Sequence, residues 1–495
     1  MSVRQGEALA RHTGVYAAGI VLSKLIGFLM IPVYTRMLTP ADYGVLELLS
    51  MTTDVIAMLV GLGLAGAVMR FYYDPPPGDE PDVVVSTAYL ISGSLILGVT
   101  LLTLPLAGAL SGMVFGTAVF APLVRLALVN FAVTAGLEIP FVHLRAQQRS
   151  GRVVSLNLVR LVLQLSLNIL FVVMLRRGVE GVLLANLIAS VCLGGYLVVS
   201  TVRTVGVHFS RASAEALVRY GAPLVLVNAA SFIISFSDRW FLRSYGTLAD
   251  VGLYGLAYRF AILIAVFIAA PFGQIWAAKS LEVWKQPGAR QFFGDAFRYF
   301  NAVTVLAALA LALFSADAIR VVSSAAYAPA GRIVPLLVLA YVFFSYRQFS
   351  YVGISIAKRS GYAALSSWIA VAAVLVLNVL LIPRWGAWGA AAATLGAYAL
   401  EFAVTLAFSQ RLIPLDYPFG RVFTTLGAAI LVAILALAAT ASMPLLTGLA
   451  VKAAMLLAFG VGVLPWTSLT RRERRAVLRF SAHPVAQWQA LRAAA

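Results

Sequence analysis

From about residue 13 to about residue 467 the chain alternates apolar blocks with short polar connections. A helix rises 1.5 Å per residue, so about 20 apolar residues cross the roughly 30 Å hydrocarbon core of a bilayer. About fourteen blocks reach that length, each predicting a spanning helix, and no connection is long enough to hold a soluble domain. The last stretch, residues 471–495, is basic with Phe480, Trp488 and Leu491 interleaved, a pattern suited to lying on the membrane surface. Pro32, Pro140 and Pro271 fall inside apolar blocks, where bending and plain packing are both open readings.

Composition agrees with a lipid solvent. The 495 residues are 61% hydrophobic and 11% charged, whereas soluble domains carry about 25% charged residues. The net charge of +18 does not gather into a patch; its residues sit between apolar blocks. With the N-terminus in the cytoplasm, 23 of the 37 Lys and Arg residues fall on the cytoplasmic side and 8 on the other. That is the inside-positive bias of a multi-pass inner-membrane protein with both termini cytoplasmic, and it implies contact with anionic lipid, not nucleic acid. The first apolar block is of full spanning length and lacks a small-residue cleavage site, which argues against a cleavable signal. A lone Cys192 offers neither a disulfide framework nor a thiolate metal site, and His12, His143, His208 and His483 are scattered without metal-ligand spacing. No metal is expected.

Self-similarity sets the architecture. Thr39-Pro-Ala-Asp-Tyr-Gly-Val-Leu-Glu-Leu48 recurs as Thr247-Leu-Ala-Asp-Val-Gly-Leu-Tyr-Gly-Leu256. Arg149-Ser-Gly151 recurs as Arg359-Ser-Gly361, and Asn168 as Asn378. Gly178-Val-Glu-Gly181 recurs as Gly386-Ala-Trp-Gly389. The offsets place each copy about six helices after the first, an even number, so the repeats are parallel and related by an axis along the membrane normal. The expected fold is all-α: a lobe of six helices over residues 1–205, a second over 206–410, two extra helices over 411–470, and the basic cytoplasmic tail. Asp42 and Asp250 read first as caps of the helices that follow them.

Ser23-Lys-Leu-Ile-Gly-Phe28, Leu38-Thr-Pro-Ala-Asp-Tyr-Gly44 and Gly61-Leu-Gly-Leu-Ala-Gly-Ala-Val-Met-Arg-Phe-Tyr72 resemble the opening of Wzx-type polysaccharide flippases. Ser237-Asp-Arg-Trp-Phe-Leu242 and Gly252-Leu-Tyr-Gly-Leu-Ala-Tyr-Arg-Phe260 resemble the start of their second lobe. These flippases belong to the multidrug/oligosaccharidyl-lipid/polysaccharide exporter superfamily. The resemblance implies movement of an undecaprenyl-pyrophosphate-linked oligosaccharide from the cytoplasmic to the periplasmic leaflet of a bacterial inner membrane by alternating access, beside polysaccharide polymerases and glycosyltransferases. Fourteen helices are also typical of MurJ-type lipid II flippases. Ser23-Lys24-Leu-Ile-Gly27 is similar to their Ser-Arg-x-x-Gly motif, and Tyr258-Arg259-Phe260 to their eighth-helix arginine, but Met30 stands where they carry a second first-helix arginine. A lipid II flippase is therefore an alternative reading. A multidrug cation exporter of the same fold, which would prefer an acidic cavity, and a membrane glycosyltransferase or polymerase, which would need a sizeable external loop or a carboxylate/His cluster, are the others.

Charges within spans point to the site, because a charge at mid-bilayer costs at least about 2.5–3.5 kcal/mol without a partner or a wet cavity. Lys24 and Asp54 fall at similar depth on adjacent helices and read as an ion pair or as cavity residues. Lys24, Asp54 and Arg259 have no charged counterparts in the other repeat, which tilts them toward function. Lys24 and Arg259 are the expected pyrophosphate ligands, since arginine offers a planar fork to two phosphate oxygens. Arg160 is a third candidate, with snorkelling as its plainer reading. Asp54 or Asp238 could couple transport to Na⁺ or H⁺, with no other cofactor expected. Arg36 and Arg239, with Asp238, are expected at an outer rim or gate. Arg125 and Lys452 read as snorkelling, and Glu138, Arg347 and Glu401 as members of structural pairs.

Overall fold

The computed structural model describes residues 30–61, 63–468 and Glu473. Every regular element among the described residues is helical. In chain order these are α1 (Ile31–Met37), α2 (Pro40–Gly61), α3 (Leu64–Tyr73), α4 (Pro81–Thr103), α5 (Ala107–Phe115), α6 (Ala121–Ala135), α7 (Glu138–Ala146), α8 (Ser150–Asn168), α9 (Gly178–Val205) and α10 (Arg211–Tyr245). They continue with α11 (Leu248–Ala261), α12 (Ala270–Val283), α13 (Ala289–Val322), α14 (Ala330–Ser350), α15 (Val352–Ile356), α16 (Ser360–Leu412), α17 (Phe419–Thr440), α18 (Leu445–Ala458) and α19 (Leu464–Ser468).

Eleven helical stretches are long and apolar enough to cross a membrane, and twelve when the bent α10 counts as one span. α16 has 53 residues, about 80 Å at 1.5 Å per residue, more than twice the hydrocarbon thickness. It breaks at Gly386, whose φ of 52° and ψ of −129° only glycine adopts readily, so it supplies two crossings. Thirteen of the expected spans are thereby accounted for; the first lies outside the described residues apart from α1 at its end. Pro32 occupies the first turn of α1, where a missing N–H costs no hydrogen bond, and Pro271 lies just after the π-helical turn Ala265–Ala269 that leads into α12.

The described chain divides into two compact units. One takes the described residues up to Leu256 with Val322–Pro329 and Ala370–Thr394, and the other takes Ala257–Val321, Ala330–Ile369 and Leu395 onward. The first has an apolar cluster where α3, α4, α7 and α10 meet, with Leu64, Val68, Val85, Ile139 and Leu217 buried. The second is sealed by aromatic rings, with Phe297 and Phe349 centroids 4.6 Å apart and Trp276 4.8 Å from Phe349.

The repeat is visible in atomic detail. Asp42 Oδ2 accepts from Thr39 N and Oγ1 at 3.0 and 2.7 Å, while Thr39 Oγ1 accepts from Asp42 N at 3.2 Å. Thr247 and Asp250 make the same three bonds at 2.9, 2.7 and 3.2 Å. Each is a reciprocal capping box: the threonine caps the helix and the aspartate ties back to it. The two helices that start in this way, α2 and α11, cross at glycine. A methyl group on Gly44 would lie 2.9 Å from the Leu248 carbonyl carbon and 3.2 Å from Gly252 N, and closer still to the Leu248 oxygen. A methyl group on Gly252 would meet Pro40 and Gly44 N in the same way. In lipid, where no hydrophobic force drives helices together, such close backbone approach is how they gain contact energy.

Candidate transport cavity

The helical repeat of 3.6 residues puts Ser50, Thr53, Asp54 and Ala57 on one side of α2, and that side lines a cavity of about 370 Å³. α6 contributes Asn130, Phe131 and Thr134, α7 Glu138, and α9 Leu183 and Asn186. The Thr134 hydroxyl lies 3.3 Å from Asn130 Oδ1 and 3.4 Å from Ser190 Oγ. Arg160 of α8 donates from Nη2 to Ser190 Oγ at 3.1 Å and to Asn186 Oδ1 at 3.5 Å. A polar belt therefore links α6, α8 and α9 behind the cavity wall. Arg160 Nε is buried without a partner among the described residues. This side chain does not snorkel to a helix end; it is turned onto the belt.

Among the described residues the walls of this cavity carry two carboxylates, Asp54 and Glu138, and no Lys or Arg. Glu138 was read as half of a structural pair; it has no ion-pair partner among the described residues and faces the cavity. Lys24, expected opposite Asp54, lies outside the described residues. Arg259 stands in the last turn of α11 with its side chain exposed.

Asp238 and Arg239 were expected at an outer rim. They are instead buried, at 0% and 2% exposure. Asp238 Oδ1 accepts from the N and Nη1 of Arg239, both at 2.8 Å. Its Oδ2 accepts from the Tyr254 hydroxyl at 2.5 Å and from Thr394 Oγ1 at 3.3 Å. Three donors from Arg239 and Tyr254 thus meet this carboxylate, and the Thr394 hydroxyl is shared between it and Ala390 O at 3.0 Å. Arg239 also reaches Ser235 O at 2.9 Å and Glu47 Oε2 at 3.5 Å, and its guanidinium lies 4.9 Å from the Phe236 ring centroid. Hydropathy places a residue along a span but cannot show whether it faces lipid, water or protein, and these two face protein. Arg36 is exposed and donates from Nε to Val322 O at 3.2 Å.

Other intramembrane charges are paired inside the second unit. Arg347 meets Glu401 at 3.2 Å, and Ser367 donates to the same carboxylate at 2.9 Å, the structural role expected of that pair. Lys452 does not snorkel: its Nζ lies 2.5 Å from Asp317 Oδ2, tying α18 to α13. The uncharged cavity residues were missed as well. Their signal was present as polar pairs four residues apart, Asn130 with Thr134 and Asn186 with Ser190, each on one helix face.

Residues 9–276, 268 of the 495, match the polysaccharide biosynthesis protein family. A probable low-salt glycan biosynthesis flippase of Haloferax volcanii, Agl15, is 22% identical over 410 residues, covering 80% of this chain and 82% of the relative. An uncharacterized membrane protein of Methanocaldococcus jannaschii is 23% identical over 46% of each chain. Among solved structures, the lipid II flippase MurJ in an inward closed conformation superposes with a TM-score of 0.73 at 14% identity, over 90% of this chain and 97% of that one. An inward-facing multidrug resistance transporter of the MATE family superposes with a TM-score of 0.60 at 18% identity, over 78% and 94%. With a match over more than half its length, the chain belongs to the polysaccharide biosynthesis protein family, and it is a multi-pass membrane protein with the fold shared by the MurJ flippase and MATE transporters.

Proposed function

We propose that this protein flips a polyprenyl-pyrophosphate-linked oligosaccharide from the cytoplasmic to the periplasmic leaflet of a bacterial inner membrane, by alternating access. The supporting observation is the alignment with a glycan biosynthesis flippase over four-fifths of both chains, on a fold shared with a lipid II flippase. Lys24 and Arg259 are the residues we assign to the pyrophosphate, because a desolvated diphosphate needs charge-assisted donors. Arg160, already bonded to Ser190 and Asn186, is placed to hold the polar belt and is the weaker phosphate candidate.

Asp54 is the residue we assign to cation coupling, with H⁺ or Na⁺ as the ion. It lines the polar cavity and has no ion pair among the described residues, whereas the donors around Asp238 are all protein groups. Two cavity carboxylates are also what a cation exporter of this fold would use, so a direct test separates the two readings. Arg259→Ala should abolish export of lipid-linked saccharide at unchanged protein abundance. Normal export by that variant would refute the pyrophosphate assignment, and resistance to cationic drugs conferred by the wild type would favour the exporter reading.

A further inference from the structure

A second groove, of about 670 Å³, opens where α3 ends and α10 begins. It is lined by Arg70 and Phe71 from α3 and by Glu215, Arg219 and Tyr220 from α10. We propose that this groove docks the phosphosaccharide headgroup of a membrane lipid, as a loading site separate from the cavity. It rests on the flippase reading for the identity of that lipid.

The groove is built, not incidental. Gly63, at φ 65°, sits so close to α10 that a methyl group there would lie 2.5 Å from Gly221 O, which fixes where the two helices cross. The start of α10 is clasped by Asp79, whose Oδ2 accepts from the Ser210 and Ser213 hydroxyls at 2.5 Å each. Residues 215 and 219 fall one helical turn apart on α10, with 220 beside 219 at the edge of the same groove. Their side chains project into a groove whose walls are held at both ends.

The chemistry of the lining selects the ligand. The Arg70 guanidinium lies 5.6 Å from the Tyr220 ring centroid and 5.8 Å from that of Phe71, and the two rings meet edge to face at 5.8 Å. Aromatic faces hold a guanidinium in place without using its five N–H donors. Neither Arg70 nor Arg219 has a hydrogen bond or an ion pair among the described residues, although Glu215 lines the same groove. Two exposed cations with unused donors are matched to a phosphate or diphosphate. Glu215 would repel a bare anion at close range but accepts hydroxyl hydrogen bonds, so it favours a headgroup carrying sugar hydroxyls beside its phosphates. The inside-positive bias assigns this face to the cytoplasm, where a lipid-linked saccharide would be loaded.

The test uses the full chain in phosphatidylcholine nanodiscs and three probes: a farnesyl-diphosphate-linked sugar, farnesyl diphosphate, and phosphatidylglycerol included in the disc. Wild-type protein should bind the sugar-bearing probe. R70Q/R219Q, melting like the wild type, should raise its Kd about tenfold or more, the loss expected when charge-assisted phosphate contacts go. E215Q should weaken the sugar-bearing probe while leaving farnesyl diphosphate as tight or tighter. An unchanged Kd in R70Q/R219Q overturns the proposal, as does displacement of the sugar probe by phosphatidylglycerol, which would make the groove a general anionic-lipid site. Absent binding in a chain that still flips a fluorescent saccharide-lipid overturns the groove and leaves the flippase reading intact. Groove-dependent binding without flipping supports the site and removes only the transport reading.

Discussion

Gly252→Ala is the substitution on which the fold is most sensitive to a single carbon atom. A methyl group there would lie 2.9 Å from both Gly44 N and the Pro40 carbonyl carbon, and nearer still to the Pro40 oxygen. Comfortable carbon contacts are about 3.5–4.0 Å, so α2 and α11 must part by about 1 Å or more, and a gap of that size forfeits a quarter to a half of the dispersion well along the crossing. Neither neighbour can yield by rotating a side chain, because both are backbone. Overpacking costs about 1–3 kcal/mol when side chains must move, and this site should sit at or above the top of that range. Helix propensity works the other way, by about 1 kcal/mol in favour of alanine, which leaves a net loss of about 2 kcal/mol. Gly427→Ala is the control: nothing lies within 4 Å of a methyl group at Gly427 in α17, so only the propensity gain remains. Purified variants would be melted in detergent with fluorescence-detected size exclusion as readout. G252A should melt well below wild type and G427A at or slightly above it. G44A/G252A should lose less than the sum of the single variants, since the first methyl group already opens the shared crossing. Equal melting of G252A and G427A would show that the two repeats do not meet at these glycines.

Glu401→Gln leaves the Arg347 cation in the bundle without its carboxylate and should cost about 3–5 kcal/mol, whereas the paired apolar replacement R347M/E401L should cost much less; both are read from the same melts. Asp54→Asn should cut saccharide export at least about tenfold without lowering abundance, measured by export in a deletion strain carrying the variant; unchanged export would remove Asp54 from coupling. The hydroxyls of Ser210 and Ser213 hold the Asp79 carboxyl below the usual carboxylate range. The stability it contributes is present above the unfolded pKa of about 4 and is lost as pH falls through the lower folded value. Asp79→Asn should therefore flatten the acid limb of the melting profile, and an unaltered limb would refute the clasp.

What could be read from the sequence follows from what repeats and what does not. Asp42 and Asp250 were legible as helix-start residues because a capping box is local, three hydrogen bonds within four residues copied in both halves, but Thr39 and Thr247 are the caps and the aspartates tie back to them. The glycines two places further on were visible in the same motif, but their purpose was not, because only the partner helix shows that no Cβ fits. Arg347 with Glu401 was legible as a structural pair, since two charges in apolar helices need each other. Lys452 was not, because its partner Asp317 is 135 residues away and nothing local marks the contact. Asp238 and Arg239 were misplaced for a related reason. Position near a helix end suggests a solvated rim, and only packing by Phe236, Tyr254 and Glu47 shows them to be buried. That Asp54 and Glu138 line one cavity could not be read, because they come from separate helices and converge only in the folded unit.

The central claim is transport of a lipid-linked saccharide across a bilayer, and the most direct measurement is leaflet-resolved. Purified protein in proteoliposomes would be loaded with a fluorescent polyprenyl-diphosphate-linked sugar in one leaflet, and its arrival in the other followed by accessibility to an impermeant quencher. The account predicts protein-dependent equilibration between leaflets that Arg259→Ala abolishes and that a lipid lacking the diphosphate does not undergo. Equal leaflet exchange in protein-free liposomes, or undiminished exchange with Arg259→Ala, would contradict it.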